Sequence, residues 1–357
     1  MTNYLLAGGG TAGHVNPLLA FADVIMADDP GHQVFALGTK EGLEANLVPD
    51  RGYPLLIVDR LPMPRKINGY LFRFPTLFRK SVNRVEDYIK HHKIDVVVGF
   101  GGYASAPAYR AARKVGIPYV VHEANALAGY ANRVGARHAS AVAVSFTNTK
   151  LPNATLTGIP IRKQIVELDR QARRKEAAEF FKLDENGKTL LVVGGSLGSR
   201  RINQTIEQSR TALAAAGIQV LHIAGGRSEL DPVDEKGYLR INYCERMDLA
   251  LAMANFAVAR AGAATVAEFA AVGMPAVYVP YPVGNGEQKY NVDDMVRANA
   301  GLVVNDSDFT QEYVLSRLIP LISNSKLSSE MAENARALGR RDGAEALLKL
   351  VNGVLRV

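Results

Sequence analysis

A chain of 357 residues with 48% hydrophobic content carries enough apolar mass for two cores of ordinary domain size, at roughly 100 to 200 residues each. Its 42 Lys and Arg against 35 Asp and Glu leave a formal charge of +7, which favours anionic partners: phosphates, nucleic acid or acidic lipid headgroups. The single cysteine, Cys244, excludes an intrachain disulfide and a Cys-cluster zinc site, as suits a reducing cytoplasm; with no apolar run of about 18 residues and no signal-peptide pattern, the chain is expected neither to span a membrane nor to carry an export tag.

The first element is a short apolar strand, residues 4–7, feeding Gly8-Gly9-Gly10-Thr11-Ala12-Gly13-His14 and a helix-period stretch, 16–26. This is G-x-G-x-x-G spacing, which presents backbone N–H groups and a helix N-terminus to a phosphate, or makes a tight turn with no ligand. A dinucleotide site would add a carboxylate at the end of the next strand, 33–37, but that strand runs into Gly38-Thr39. No G-x-x-x-x-G-K-[ST] occurs, which argues against a P-loop NTPase. His14 falls in the first turn of the helix, where the positive end of the dipole disfavours imidazolium; it reads as a base for a hydroxyl or as a hydrogen-bonding cap.

Residues 60–84 hold seven basic side chains (Arg60, Arg65, Lys66, Arg73, Arg79, Lys80, Arg84), no acid, and the interleaved apolar Tyr70, Leu71, Phe72, Phe74, Leu77 and Phe78. That pattern fits a monotopic patch on an anionic membrane surface, at about 1 kcal/mol per cation, or an ordinary helix with a solvated face. No motif that reads RNA or DNA accompanies the charge.

Strand 95–99 opens a second glycine turn, Gly99-Phe100-Gly101-Gly102-Tyr103-Ala104-Ser105-Ala106-Pro107, with Ser105 expected to cap the helix 106–115. Two cradles on one domain suit a diphosphate. Strand 119–121 runs into His122-Glu123-Ala124-Asn125, either a ligand cluster or a hydrogen-bond brace. A domain boundary is expected near Gly158-Ile159-Pro160, followed by a charged helix, 170–182.

The second half repeats the plan. Strand 189–193 feeds Gly194-Gly195-Ser196-Leu197-Gly198 with Arg200, Arg201 and Asn203 behind it, a phosphate-sized nest. Strands 219–223, 256–259 and 276–279 follow. After the third of these four, Arg260-Ala261-Gly262-Ala263-Ala264-Thr265-Val266-Ala267-Glu268 enters a helix whose first N–H groups can meet phosphate oxygens while Glu268 accepts two ribose hydroxyls; the same pattern also occurs as a plain N-terminal cap. The polar loop 280–291 carries Glu287, Gln288 and Asn291 for sugar hydroxyls, and residues 338–357 have helical period. Strands alternating with helices predict an α/β chain of two doubly wound Rossmann-like domains facing a central cleft.

In this order, the motifs at 9–17, 99–107, 122–125, 194–198 and 260–268 resemble the MurG family over the whole length, with Ala12, Ala124 and Leu197 departing from its usual Gly, Gln and Gln. The resemblance implies a GT-B fold with an N-terminal acceptor and membrane-facing domain, 1–160, joined by a C-terminal helix, 338–357, and a donor domain, 161–337. It implies a metal-independent, inverting hexosyltransferase without cofactor that moves N-acetylglucosamine from UDP-N-acetylglucosamine to the muramyl 4-hydroxyl of undecaprenyl-linked lipid I, giving lipid II, with His14 as candidate base. Thr11, Ala12, Gly13, Asn125, Arg162, Ser196, Cys244, Ala263, Ala264, Thr265, Val266, Glu268 and Gln288 would then bind the donor. Gly101, Gly102, Tyr103 and Ser105 would lie by the acceptor diphosphate. Arg65, Lys66, Phe72, Arg73, Phe74, Phe78, Arg79 and Lys80 would form the patch on the cytoplasmic face of the membrane, where cell-wall synthesis proteins are candidate partners. Another GT-B enzyme, such as a lipid or natural-product glycosyltransferase or a UDP-sugar 2-epimerase, is the alternative reading.

Overall fold

The computed structural model describes residues 1–64, 67–283 and 286–356, without the side chain of Ala12. The predicted patch residues Arg65 and Lys66, and Gly284 and Asn285 of the polar loop, lie outside the described residues. The chain divides into two compact units, Met1–Arg162 with Asp342–Val357, and Lys163–Arg341, so Arg162 belongs with the first.

The first unit is a seven-stranded parallel sheet: β1 (Asn3–Ala7), β2 (Gln33–Gly38), β3 (Leu55–Ile57), β4 (Val96–Gly99), β5 (Tyr119–Glu123), β6 (Ala141–Val144) and β7 (Ala154–Leu156), in the order β3-β2-β1-β4-β5-β6-β7. Its central strands are apolar at successive positions because helices cover both faces. Val15, Leu18, Ala22 and Ile25 of the helix Ala12–Asp28 pack on one face with Leu347, Leu348 and Val351 of the helix Gly343–Leu355. Val82, Val85 and Ile89 of the helix Gly69–His91 share the other face with Ala108, Ala111 and Ala112 of the helix Ser105–Val115.

The second unit has β8 (Lys188–Val193), β9 (Ile218–Ile223), β10 (Val233–Glu235), β11 (Tyr238–Ile241), β12 (Phe256–Ala259), β13 (Ala276–Tyr278) and β14 (Gly301–Val303), ordered β10-β11-β9-β8-β12-β13-β14, with only β10 antiparallel. In each unit the strand order reverses once, between β1 and β4 and between β8 and β12. Ala7 lies beside Gly99 and Val193 beside Ala259, so the four glycine-bearing loops leave their sheets in neighbouring pairs at the carboxyl ends of the strands, where open α/β sheets hold ligands.

Two helices are shorter than their periodicity predicts. The terminal one is Gly343–Leu355, not 338–357: Leu338 ends the preceding helix Ser325–Leu338, and a Cβ on Gly339 would come within 2.3 Å of the Ala270 carbonyl oxygen, so the chain turns there against its neighbour. The charged segment 170–182 is helical only over Arg174–Phe181. Arg170 instead turns inward and donates to the carbonyls of Leu251 and Ala254, at one helix end, and of Val272 and Gly273, at another. A guanidinium there complements the negative ends of two helices, although burial lowers its pKa to about 10.

Candidate active site

In the first unit, the loop after β1 carries the candidate base. His14 is the third residue of the helix Ala12–Asp28, and the amides of His14 and Val15 donate to the Thr11 carbonyl at 3.0 and 3.1 Å. The N–H groups of Ala12 and Gly13 lie in the helix's first turn, where a backbone N–H has no intrahelical acceptor, and Thr11, exposed, gives no side-chain cap. The half-buried His14 ring lies with Nδ1 3.1 Å from the Gly9 carbonyl and 3.4 Å from Thr11 Oγ1. A carbonyl only accepts, so that bond puts the proton on Nδ1 and leaves the Nε2 lone pair free to take one. Nε2 faces the second glycine loop, 3.1 Å from where a Cβ on Gly101 would stand.

That loop is moulded onto the first: a Cβ on Gly102 would fall 2.5 Å from the Gly9 carbonyl oxygen, and Gly102 itself has φ +81°. Ser105 does not cap the helix it starts. Its fully buried hydroxyl accepts from the Gly101 amide at 3.0 Å and lies 2.9 and 2.8 Å from the carbonyl oxygens of Ala7 and Gly101, so it ties the two loops together instead of facing a ligand. Tyr103 is half-buried with the Arg60 guanidinium 5.1 Å over its ring, which brings a cation to the loop.

The cluster at the end of β5 divides in two. His122 is a brace: fully buried, it donates from Nε2 to the Gly158 carbonyl at 3.0 Å, and burial lowers its pKa to about 4. Glu123, also buried, accepts from the amides of Asn125 and Gly129 at 2.8 and 3.0 Å and from Asn132 Nδ2 at 2.9 Å. This fixes the loop that presents the half-buried Asn125.

Glu44 is absent from the sequence expectations. From the start of the helix Glu44–Asp50, its buried carboxylate accepts from the Gly10 amide at 2.7 Å and from the amide and hydroxyl of Thr39, both at 2.9 Å. No local signal marks it: Glu44 lies beyond Gly42, and Glu41 stands nearer the strand end where a ribose-binding carboxylate is sought.

In the second unit the loop after β8 exposes Ser196, and the amides of Gly226 and Arg227 hold it from behind through the carbonyls of Ser196 and Leu197. Ser199 caps the helix Arg200–Gln208. Cys244, buried, lies in the loop beyond β11. After β12 the helix Ala263–Val272 starts at Gly262 with no side-chain cap. Val266 is not among its available donors, because its amide is bonded to the Gly262 carbonyl at 3.0 Å; the open donors are Ala263, Ala264 and Thr265. Glu268, buried, lies one turn beyond Ala264 and Thr265.

The polar loop proves half helical, Glu287–Asn291. Gln288 Oε1 accepts from the amides of Ala261 and Tyr281 at 3.2 and 2.9 Å, so only its amide N–H₂ can meet a ligand, and the buried Asn291 donates to the Ala261 carbonyl.

The basic stretch forms the start of the helix Gly69–His91, capped by Asn68, whose side chain accepts from the amides of Tyr70 and Leu71. Phe74 and Phe78 are half-buried and stacked, centroids 5.9 Å apart, so they belong more to the fold than to a surface. Ile67, Phe72 and Leu71 are exposed, Phe72 by 76%, beside exposed Arg73, Arg79 and Lys80, while Arg84 pairs with Asp59 at 3.5 Å. Among the described residues no helix is long and apolar enough to cross a membrane.

The glycosyltransferase family 28 N-terminal domain matches residues 4–144 and the family's C-terminal domain residues 189–347. The UDP-N-acetylglucosamine--N-acetylmuramyl-(pentapeptide) pyrophosphoryl-undecaprenol N-acetylglucosamine transferase of Leifsonia xyli is 54% identical over 351 residues, 98% of either chain. The protein of the same name from Streptomyces coelicolor is 46% identical over 97% of this chain and 96% of that one. The crystal structure of Acinetobacter baumannii MurG superposes with a TM-score of 0.76 at 28% identity, covering 99% of this chain and all of that one. The paired Rossmann-like units are therefore a GT-B fold, and the chain belongs to the MurG family within glycosyltransferase family 28.

Proposed function

We propose that the chain transfers N-acetylglucosamine from UDP-N-acetylglucosamine to the 4-hydroxyl of the muramyl sugar of lipid I, with inversion, giving lipid II. The reading rests on the 54% identity over 98% of the chain with a transferase of that name, and the site chemistry supports it. His14 Nε2 takes the proton of the attacking hydroxyl, whose diphosphate tail lies by the glycine loop at Gly101, Gly102 and Tyr103. The donor diphosphate is met by the amides of Ala263, Ala264 and Thr265 and the positive end of their helix, with Ser196 and Arg162 beside it. That is electrostatic stabilisation of a leaving group by fixed dipoles, and it calls for no metal or cofactor. Glu268 accepts the ribose hydroxyls, the Cys244 backbone pairs with uracil, the Gln288 amide donates to the sugar, and Thr11, Gly13 and Asn125 border it. UDP release that requires both the nucleotide sugar and a lipid I analogue tests the assignment; consumption of the nucleotide sugar alone would instead indicate an epimerase. Glu268→Ala is expected to weaken donor binding about 10- to 150-fold by calorimetry, the range for losing hydrogen bonds to a charged group. Unchanged affinity would remove Glu268 from the ribose.

Association with the cytoplasmic face of the membrane belongs to the same proposal. The exposed Ile67, Leu71 and Phe72 enter the headgroup region while Arg73, Arg79 and Lys80 meet anionic lipid; among the described residues these three have no acidic partner. At about 1 kcal/mol per cation, reversing all three charges should lower sedimentation with anionic vesicles by about 100-fold or more, and leave binding to neutral vesicles unaltered. Equal sedimentation of the variant would leave this face simply solvated.

A further inference from the structure

We infer that Glu44 is the positioning residue for His14 and acts through one peptide group. The amide that donates to Glu44 Oε2 at 2.7 Å is Gly10 N–H, and the carbonyl 3.1 Å from His14 Nδ1 is Gly9 C=O. These are the two ends of the same planar peptide unit. Carboxylate, peptide and imidazole therefore form one continuous hydrogen-bonded chain.

The carboxylate is built in. Glu44 is 1% exposed, and its Oε1 is held by the Thr39 amide and hydroxyl. A Cβ on Gly9 would stand 2.3 Å from Oε1, so the loop carries glycine where the acid passes under it. A buried negative charge at the N–H end polarises the peptide and makes the Gly9 oxygen a stronger acceptor, as hydrogen bonds in series do. A stronger acceptor holds the proton on Nδ1, fixes the ring plane and supports positive charge as Nε2 takes up a proton. An outer carboxylate does this for a functional histidine by direct contact; here a backbone peptide stands between. No proton travels along the chain, and Glu44 touches no substrate. The competing partner of Nδ1 is Thr11 Oγ1 at 3.4 Å, which as a donor would favour the opposite tautomer.

The inference rests on His14 being the base, and its test separates the two. In the intact protein labelled with ¹⁵N-histidine, the ring-nitrogen shifts of neutral His14 are expected to show Nδ1–H. Glu44→Gln should erode that tautomer, lower kcat about 10- to 100-fold, the effect of losing an outer partner of a functional histidine, and leave the donor KM within about twofold. Combined with His14→Ala it should add no further loss. Thr39→Val, which frees one anchor of the carboxylate without changing charge, should move the tautomer the same way and serves if Glu44→Gln does not fold. An Nε2–H tautomer in the unsubstituted protein overturns the relay, as does a tautomer indifferent to both substitutions. Near-normal turnover of His14→Ala, with the tautomer still dependent on Glu44, overturns the base assignment and leaves the relay standing.

Discussion

His14→Ala is expected to lower turnover about 10²- to 10⁴-fold at saturating substrates, the contribution of a positioned general base. The ring is held at two points: its Nδ1 by the Gly9 carbonyl at 3.1 Å, and its backbone by the first turn of the helix Ala12–Asp28. Its Nε2 edge is pressed against the loop at Gly101, so a proton acceptor is aimed at the place where the second glycine turn would hold an acceptor's phosphates. Truncation to alanine removes the acceptor atom but leaves the helix, because alanine favours that conformation. The donor contacts proposed for Ser196, Cys244, Ala263, Ala264, Thr265, Glu268 and Gln288 lie in the other unit, and those proposed for Thr11, Gly13, Asn125 and Arg162 do not use the His14 ring. Donor affinity should therefore stay within about twofold, and the whole loss should fall on kcat, an interaction made in the transition state and not in the ground state. UDP release measured against both substrates reads this directly. A rate within a few-fold of the original would assign proton removal to another group and return His14 to the role of a loop cap.

How much of this the sequence shows depends on what each residue does locally. The apolar runs of β1, β4, β8, β9 and β12 are legible because a strand buried on both faces is mostly apolar at successive positions, and each of these runs ends in the residues that must turn. The edge strands β3, β7 and β14 are three residues each and partly or wholly exposed, so neither periodicity nor burial marks them. Site positions that depend on backbone geometry near a strand end were legible in the same way. Positions that depend on which hydrogen bond a group makes were not. Ser105 reads as a cap and is a tie between two loops; Val266 reads as a phosphate donor and is bonded within its helix; Gln288 reads as a sugar contact and spends its carbonyl on the loop it follows. Glu44 was invisible because its partner, the Gly10 amide, is 34 residues distant and no spacing rule connects them.

Acidification from pH 7 to pH 5 should cost each unit about 2 kcal/mol of stability, because each unit buries one histidine as the neutral ring. In the first, His122 on β5 is fully buried with Nδ1 unpartnered among the described residues, and burial holds its pKa near 4. In the second, His222 on β9 lies between Tyr238 and Asn203 at 3.0 and 3.1 Å, and burial, with repulsion from Arg240, lowers its pKa to about 3. Unfolding releases both rings to an ordinary value near 6.5, so below that pH the unfolded chain binds protons that the folded chain refuses. Stability present above pH 6.5 is therefore lost as pH falls, until the folded rings themselves protonate near 4 and 3. Carboxylates act in a lower window. Burial opposes the charge on Glu207 and Asp248, but Arg210 and Arg246 outweigh it and hold both below their ordinary values of 4.5 and 3.8, so their contribution is kept through pH 5. Urea titrations at pH 7, 6 and 5 should show this loss, and His222→Gln, which keeps a donor and an acceptor without a titrating proton, should flatten the pH dependence of the second unit alone. A stability unchanged from pH 7 to 5 would mean that the folded rings take up protons as readily as the unfolded ones, contrary to their burial.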